Sequence, residues 1–420
     1  MPRKHPALRV YFILSFASSA IYSLIFTVNL LYYIFVAKLD PLQLVLVGTA
    51  LEAAIFIFEV PTGVVADSIS RRLSVIIGVF IIGVAFLING LWPVFWVIVL
   101  AQVVWALGYT FTSGATQAWI SDEIGEVNAG QAFIRAARWE QWGAIAGTVA
   151  CIFVAILSIR APILIGGGLF VLLGTYLLLF MPEQGYQADM SQSSASWDNF
   201  VVTFKAGIAA VKMRPALVGI LATGFFFGFY SEGYDRLWQA HVLDRFTLPP
   251  AGWFSAFYAG TEMSAVFWNA LFKILLLLLA VIATKRTEKY LERSHNAALW
   301  RILLVLSAVL FISLLGFALV HNLVLSLALV LVIGVVREVT YPVYTTWVNH
   351  RLPSNVRATV LSLSSQVDAV GQTIGGPLVG LVARQVSITI GLVTSSVMLA
   401  PILPLLYLQR KVRDGDLSGD

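Results

Sequence analysis

A chain of 420 residues that is 59% hydrophobic and only 12% charged lacks the polar shell of a water-soluble protein; ordinary soluble domains are about 45–50% apolar and about 25% charged. Mean hydropathy of +0.86 places it in a bilayer, and a single cysteine, Cys151, excludes an intrachain disulfide framework or a cysteine-based metal centre. The formal charge of +5 would suit nucleic acid, but the positions of the charges argue otherwise.

A bilayer-spanning helix needs about 20 mostly apolar residues. Twelve such runs are expected, near 8–36, 42–66, 73–92, 94–120, 131–158, 161–181, 215–240, 252–284, 299–320, 323–347, 356–383 and 386–408. The first follows Pro2-Arg3-Lys4 and continues past Tyr32. A signal-peptide core is only about 7–15 residues long, so this run is read as an uncleaved helix. The eighth exceeds one span, and its first third, Pro249 to about Ala259, is expected to lie along the outer surface.

The longest polar stretch separates the sixth and seventh runs. Gln187–Ser196 has the composition of a flexible linker, and Trp197–Met213 reads as an amphipathic surface helix. The chain is therefore expected to comprise a six-helix bundle over 1–181, a cytoplasmic linker over 182–214, a second six-helix bundle over 215–408 and a cytoplasmic tail over 409–420. With both termini inside, 20 of the 27 basic residues fall on the inner side. Only Lys38, Arg160, Arg245 and Arg384 fall outside, and Arg236, Lys273 and Arg337 lie within spans. This positive-inside asymmetry fixes the orientation, and the basic charge reports topology rather than a nucleic-acid partner.

The halves match at an offset of 228 residues: Trp119 with Trp347, Glu140 with Asp368, Gly143 with Gly371 and Gly147 with Gly375. Three of these pairs fall in the fifth and eleventh runs, as a duplicated six-helix unit would give. Between the second and third runs stands Glu59-Val-Pro-Thr-Gly-Val-Val-Ala-Asp-Ser-Ile-Ser-Arg-Arg72. It resembles the Gly-x-x-x-Asp-x-x-Gly-Arg-Arg loop of the major facilitator superfamily, through Gly63, Asp67, Arg71 and Arg72. Ser70 replaces the usual glycine and Ser68 a frequent basic residue.

With the twelve runs, linker and repeat, the resemblance covers the whole chain, and in appearance it is nearest to bacterial drug:proton antiporters. It implies an all-α membrane protein of twelve helices in two pseudo-twofold-related bundles, in a bacterial inner membrane. It also implies that Gly63, Asp67, Arg71, Arg72 and Asp122 form a cytoplasmic gate that latches the halves. Two departures put transport direction and coupling ion in doubt. Val104 stands four residues before Gly108 where exporters carry an arginine, and the Gly-Pro pair of the exporters' fifth helix appears instead in the eleventh, at Gly376-Pro377.

An ionisable group near the bilayer centre costs at least about 2.5–3.5 kcal/mol and needs a partner or a wet cavity. Within spans lie Glu52, Glu59, Glu140, Glu232, Asp235, Glu262, Glu338 and Asp368, against Arg236, Lys273 and Arg337. At 1.5 Å per residue, Glu140 and Asp368 sit roughly 14 and 18 Å deep, near the middle of a core about 30 Å thick. Each precedes a Gly-x-x-x-Gly pair, Gly143/Gly147 or Gly371/Gly375, a spacing that brings helices close; the glycines and Pro377 are read as packing residues. Glu140 and Asp368 lead the substrate and proton candidates, followed by Glu338, Glu52, Glu232, Asp235, Arg337, Trp142 and Tyr341. Their competing reading is structural: Glu232 and Arg236 are four apart and can pair on one helix face, Lys273 should pair with an acid, and the aromatics can be packing residues.

Protonation of a midplane carboxylate competes with binding of a cation there, which suffices for antiport. The first functional expectation is therefore proton-coupled efflux of hydrophobic or cationic small molecules by alternating access. The second is proton-coupled uptake of a sugar, peptide or other small solute. A membrane-embedded enzyme or a non-transporting sensor comes third. No phosphate-binding Gly-x-x-x-x-Gly-Lys run and no His-Glu-x-x-His or Gly-x-Ser-x-Gly element is present. The five histidines are scattered, so neither metal nor cofactor is expected. The partners are a small molecule, protons and lipid, and the protein should act as a monomer.

Overall fold

The computed structural model describes residues 6–185, 215–250, 261–291, 299–351 and 354–409. Among them are fifteen α-helices and no strand. They are α1 Pro6–Phe26, α2 Asn29–Phe35, α3 Pro41–Ser68, α4 Arg71–Leu91, α5 Phe95–Thr112, α6 Ala115–Ile124, α7 Glu126–Val154 and α8 Ala161–Phe180. After the linker come α9 Pro215–Arg245, α10 Thr261–Leu291, α11 Leu299–Leu319, α12 Leu323–Arg351, α13 Ser354–Gln385, α14 Ile388–Leu399 and α15 Ile402–Gln409. Each expected apolar run coincides with a helix or a broken pair of helices. The expected surface helix at 197–213, the linker at 187–196, the outer segment at 251–259 and the tail beyond 409 lie outside the described residues.

Nine helical segments among the described residues are long and apolar enough to cross a membrane. The long helices α7, α9 and α13 are not among them, and they carry Glu140, the Glu232–Arg236 stretch and Asp368. Polar residues on these three helices lower their membrane affinity, so protein or a wet cavity must shelter them, whereas α3 with Glu52 and α12 with Arg337 and Glu338 are apolar enough to span.

The described residues form two compact units. The first draws on 1–39, 50–199 and 248–274, the second on 40–49, 200–247 and 275–420. Helices α3 and α10 each contribute one end to each unit. In the first unit α1 packs chiefly on α7, and α4 on α5 and α8. In the second, α9 packs chiefly on α13, and α11 on α12.

The principal contact has the same cause in both units. A Cβ placed on Gly143 or Gly147 would strike the backbone carbonyl of Phe16 or Ala20 on α1, and one on Gly371 or Gly375 that of Phe225 or Phe229 on α9. Bare glycines let two helix backbones meet. Trp119 and Trp347, paired by the repeat, are each 1% exposed.

Local chemistry sets the breaks. Between α1 and α2 the Val28 N–H bonds to the Ile25 carbonyl at 3.1 Å, three residues back rather than four, and this tight turn separates the two helices. Gly114 and Gly125 have φ of +70° and +78°, a backbone region that residues with a Cβ disfavour, and they separate α5, α6 and α7. In the first unit a buried amide and hydroxyl network ties α2, α4 and α5 together: Asn89 Nδ2 donates to Asn29 Oδ1 at 2.9 Å, and Gln102 Nε2 to the Tyr33 hydroxyl at 3.1 Å.

Candidate functional site: two polar cavities and a charge cluster

The first unit holds an open cavity of about 430 Å³. Ser15, Ser18, Ser19 and Ser23 of α1 line it, with Tyr109 and Thr112 of α5, Thr116 and Gln117 of α6, and Glu140 of α7. Helix α7 begins at Glu126, five residues before the expected start. The Ser19 hydroxyl donates to the Glu140 backbone carbonyl at 2.6 Å, locking α7 to α1 just before the glycine contact. Trp142, two residues on and therefore turned away along the helix, is 64% exposed and does not line this cavity. Glu52 is half-buried on α3 and lines neither this cavity nor the one in the second unit.

The second unit holds a larger cavity of about 1130 Å³. Asp368, Arg337, Glu338 and Tyr341 all line it, with Tyr230, Tyr344 and Ser364. Gln372 Nε2 donates to Asp368 Oδ2 at 2.8 Å, and Asp368 lies against Gly228 of α9, which leaves room for it. The Tyr344 hydroxyl sits 2.8 Å from the Ser364 hydroxyl and donates to the Ile220 carbonyl at 3.0 Å.

Arg337 makes a bidentate ion pair with Asp235 on α9, its Nη1 on Oδ1 and its Nη2 on Oδ2, the latter at 2.7 Å. Its guanidinium also stands 5.7 Å from the Tyr234 ring centre. Forked geometry of this kind is the strongest arrangement open to a guanidinium and a carboxylate. Glu232 instead pairs with Arg236 at 2.8 Å, one turn apart, and its side chain is 3% exposed. That pair fits against Gly48 of α3, where any side chain would collide with it. Gly376, ahead of Pro377, packs on Val45 and Thr49 of α3 and on Glu232.

Lys273 departs from expectation. Among the described residues no carboxylate lies within the 4.0 Å limit of an ion pair with it. Its ammonium stands 3.4 Å from the Ser23 carbonyl and 3.4 Å from the Thr27 hydroxyl, while Asn269 Nδ2 donates to the Thr27 carbonyl at 2.6 Å. These oxygens lie at the C-terminal, negative end of the α1 dipole, and they take the place of the expected acid.

Where α3 meets α4 in the first unit, Arg71 pairs with Asp122 on α6 and with Asp67 at 3.6 Å. All three belong to one unit, as does Arg72, which donates to the carbonyls of Met181 and Leu178 at 2.6 and 2.7 Å. Gly63 has no neighbour that a Cβ would meet. Ser70, the departure from the family loop, caps α4 by accepting from Leu73 N at 2.9 Å and donates to Glu183 at 2.7 Å. Glu183 also accepts from Arg72 N at 3.0 Å. Sequence reading overlooked Glu183; the available signal was an acid directly after an apolar run at the face where Arg71 and Arg72 gather.

A carboxylate at a helix N-terminus is stabilising, so Glu183→Ala should cost about 1–2 kcal/mol, the value of a lost cap with a charge-assisted bond. Asp67→Asn, at an exposed 3.6 Å contact, should cost about 0–1 kcal/mol. Thermal melts of the purified protein would rank the two, and equal losses would contradict this assignment.

Comparison with known proteins fits this architecture. The Bacillus subtilis (strain 168) protein described as an uncharacterized MFS-type transporter, YxaM, is 22% identical over 386 residues, covering 92% of each chain. Among solved structures, the nucleoside transporter NupG superposes with a TM-score of 0.72 at 16% identity, over 97% of this chain and 100% of that one. A bacterial homolog of the human lysosomal transporter Spinster gives 0.70 at 13%, over 98% of each. A POT family transporter in complex with 5-aminolevulinic acid gives 0.69 at 13%, over 96% of this chain and 94% of that one. At such identities the structures establish the fold. The sequence pattern of one family matches residues 11–376, and the chain belongs to that family, the Major Facilitator Superfamily of multi-pass membrane transporters.

Proposed function

We propose that the protein is a proton-coupled secondary transporter of a small organic solute, working by alternating access, with Glu140 and Asp368 as its proton-bearing carboxylates. One observation carries this reading. The two acids hold matching places in the two units, each just before the glycines that seat its helix on the unit's first helix, and each lines a cavity. Twelve spans, a six-plus-six division, cytoplasmic termini and a monomeric state belong to the same proposal.

Proton coupling serves two modes. Uptake of a polar solute by symport is favoured by hydroxyl side chains on both cavity walls, and similar structures include transporters of nucleosides and one holding 5-aminolevulinic acid. Efflux of an organic cation by antiport is favoured by the carboxylates and by tyrosine rings, whose faces attract cations by about 0.5–2 kcal/mol. In either mode the inner charge cluster, Asp67, Arg71, Arg72 and Asp122, would steady the cytoplasmic gate.

The test uses proteoliposomes with a trapped pH-sensitive dye and an imposed proton gradient. Ethidium would be offered as the cation, and monosaccharides, nucleosides and dipeptides as polar solutes. Solute-dependent proton flux that falls to background in Glu140→Gln or Asp368→Asn identifies the coupling carboxylate, and the direction that dissipates the gradient gives the mode. Flux unchanged in both variants would remove the acids from proton duty.

A further inference from the structure

The cavity of the first unit has an unusual wall. The serines of α1 recur at the three- and four-residue steps that place side chains on one helix face, and Thr112, Thr116 and Gln117 face the same space. Glu140 is the one charged lining residue, and no lysine or arginine lines the cavity. Among the described residues no hydrogen bond or ion pair holds its carboxylate. Ser113 and Tyr109 add further hydroxyls, while Val79, Ile82 and Phe170 form an apolar part of the lining, where the Tyr22 ring packs on Phe170 at 4.8 Å between centres.

These features select a ligand class. An apolar ligand would strip water from the hydroxyls and return nothing, whereas a site built to hydrogen-bond hydroxyls discriminates strongly against analogues lacking them. An anion would meet Glu140 with no cation to offset it. A ring bearing several hydroxyls offers donors to the carboxylate and to Ser19, Thr112 and Thr116, whose own O–H groups already donate to backbone carbonyls and which are left to accept, and a C–H face to Val79, Ile82 and Phe170. The volume falls within the usual range of small-molecule sites, about 300–1,000 Å³, and can hold a single sugar ring.

We infer that this cavity binds a neutral polyhydroxylated solute, a monosaccharide or a ribose ring, with Glu140 accepting from adjacent hydroxyls and with Ser18, Ser19, Thr112 and Thr116 completing the contacts. The inference rests on the transport reading and names the substrate class for it.

The experiment uses the full chain in lipid nanodiscs and reads thermal shift and equilibrium binding. Probes are glucose, galactose, ribose, uridine and adenosine, with ethidium, tetraphenylphosphonium and lactate as contrasts. At least one hydroxylated probe should bind, and one of its monodeoxy analogues should bind ten- to a hundredfold more weakly, about 1.4–2.8 kcal/mol. Ser18→Ala and Thr116→Val, both tolerable in a helix, should weaken the parent probe by about tenfold and leave at least one monodeoxy analogue unaffected. A merely structural role would lower both alike.

Three results overturn the inference: no hydroxylated probe binds, the deoxy analogues bind as well as their parents, or Ser18→Ala, Thr116→Val and Glu140→Gln all leave affinity intact. Proton flux driven by ethidium with no sugar binding would sink the ligand class and keep the transport reading. Sugar binding without proton flux would do the reverse.

Discussion

Gly147→Ala is expected to destabilise the protein markedly, although alanine is the better helix former. The added Cβ would stand 2.7 Å from the Ala20 carbonyl carbon and 2.9 Å from its Cα, and a backbone cannot swing aside as a side chain can. Overpacking of this kind costs about 1–3 kcal/mol, here at the upper end because α1 and α7 form the principal contact of their unit. Gly375→Ala should behave alike, since its Cβ would stand 2.8 Å from the Phe229 carbonyl carbon. The control lies in the same helix as Gly147. Gly130 has no heavy atom within 4 Å of its missing Cβ, so Gly130→Ala should gain about 0.5–1 kcal/mol from helix propensity. The readout is the temperature at which half the purified protein stays monodisperse on size-exclusion chromatography. Equal melting of Gly147→Ala and wild type would mean that the close approach of α1 and α7 is wrong.

Arg337→Gln should be the second large loss. It leaves Asp235 on α9 without its forked partner, while the cavity keeps Glu338 and Asp368 close by. Breaking a fully buried pair costs about 3–5 kcal/mol, and an exposed pair about 0–1 kcal/mol. With side chains 31% and 39% exposed, about 2 kcal/mol is expected between those limits. Asp235→Asn alone should lose a similar amount. The double variant should recover most of it, because the two residues then carry no uncompensated charge, and the cycle isolates their coupling. Additive losses in the double variant would show that the two groups do not depend on each other.

Helices were legible in the sequence because each apolar run is long enough to have one reading. Their breaks were not: nothing between Thr27 and Asn29 signals a stop, since the interruption is a shift of backbone bonding to a three-residue step at Val28 that no residue type announces. The Glu232–Arg236 pair followed from helical spacing. Asp235 and Arg337 lie 102 residues apart, and spacing along one helix cannot join two helices, so sequence reading did not find this pair. Gly143, Gly147, Gly371 and Gly375 announced close packing without naming the partner helix. Lys273 failed for a different reason. The expectation of an acid partner considered side chains alone, and the compensating groups are backbone carbonyls at a helix break that the sequence hides.

The division of α3 and α10 between units also constrains the order of assembly. Residues 248–274 belong to the first unit, so that unit remains incomplete until roughly 75 residues beyond residue 199 have been synthesised, about 4–15 s at ribosomal speed. Residues 40–49 wait far longer, because the rest of their unit begins at 200 and runs to the last residue. Neither unit is a continuous stretch of chain, and a ribosome that stalls in the linker leaves both unfinished. The first unit can close once residue 274 has been made, whereas the second waits for the helices that follow.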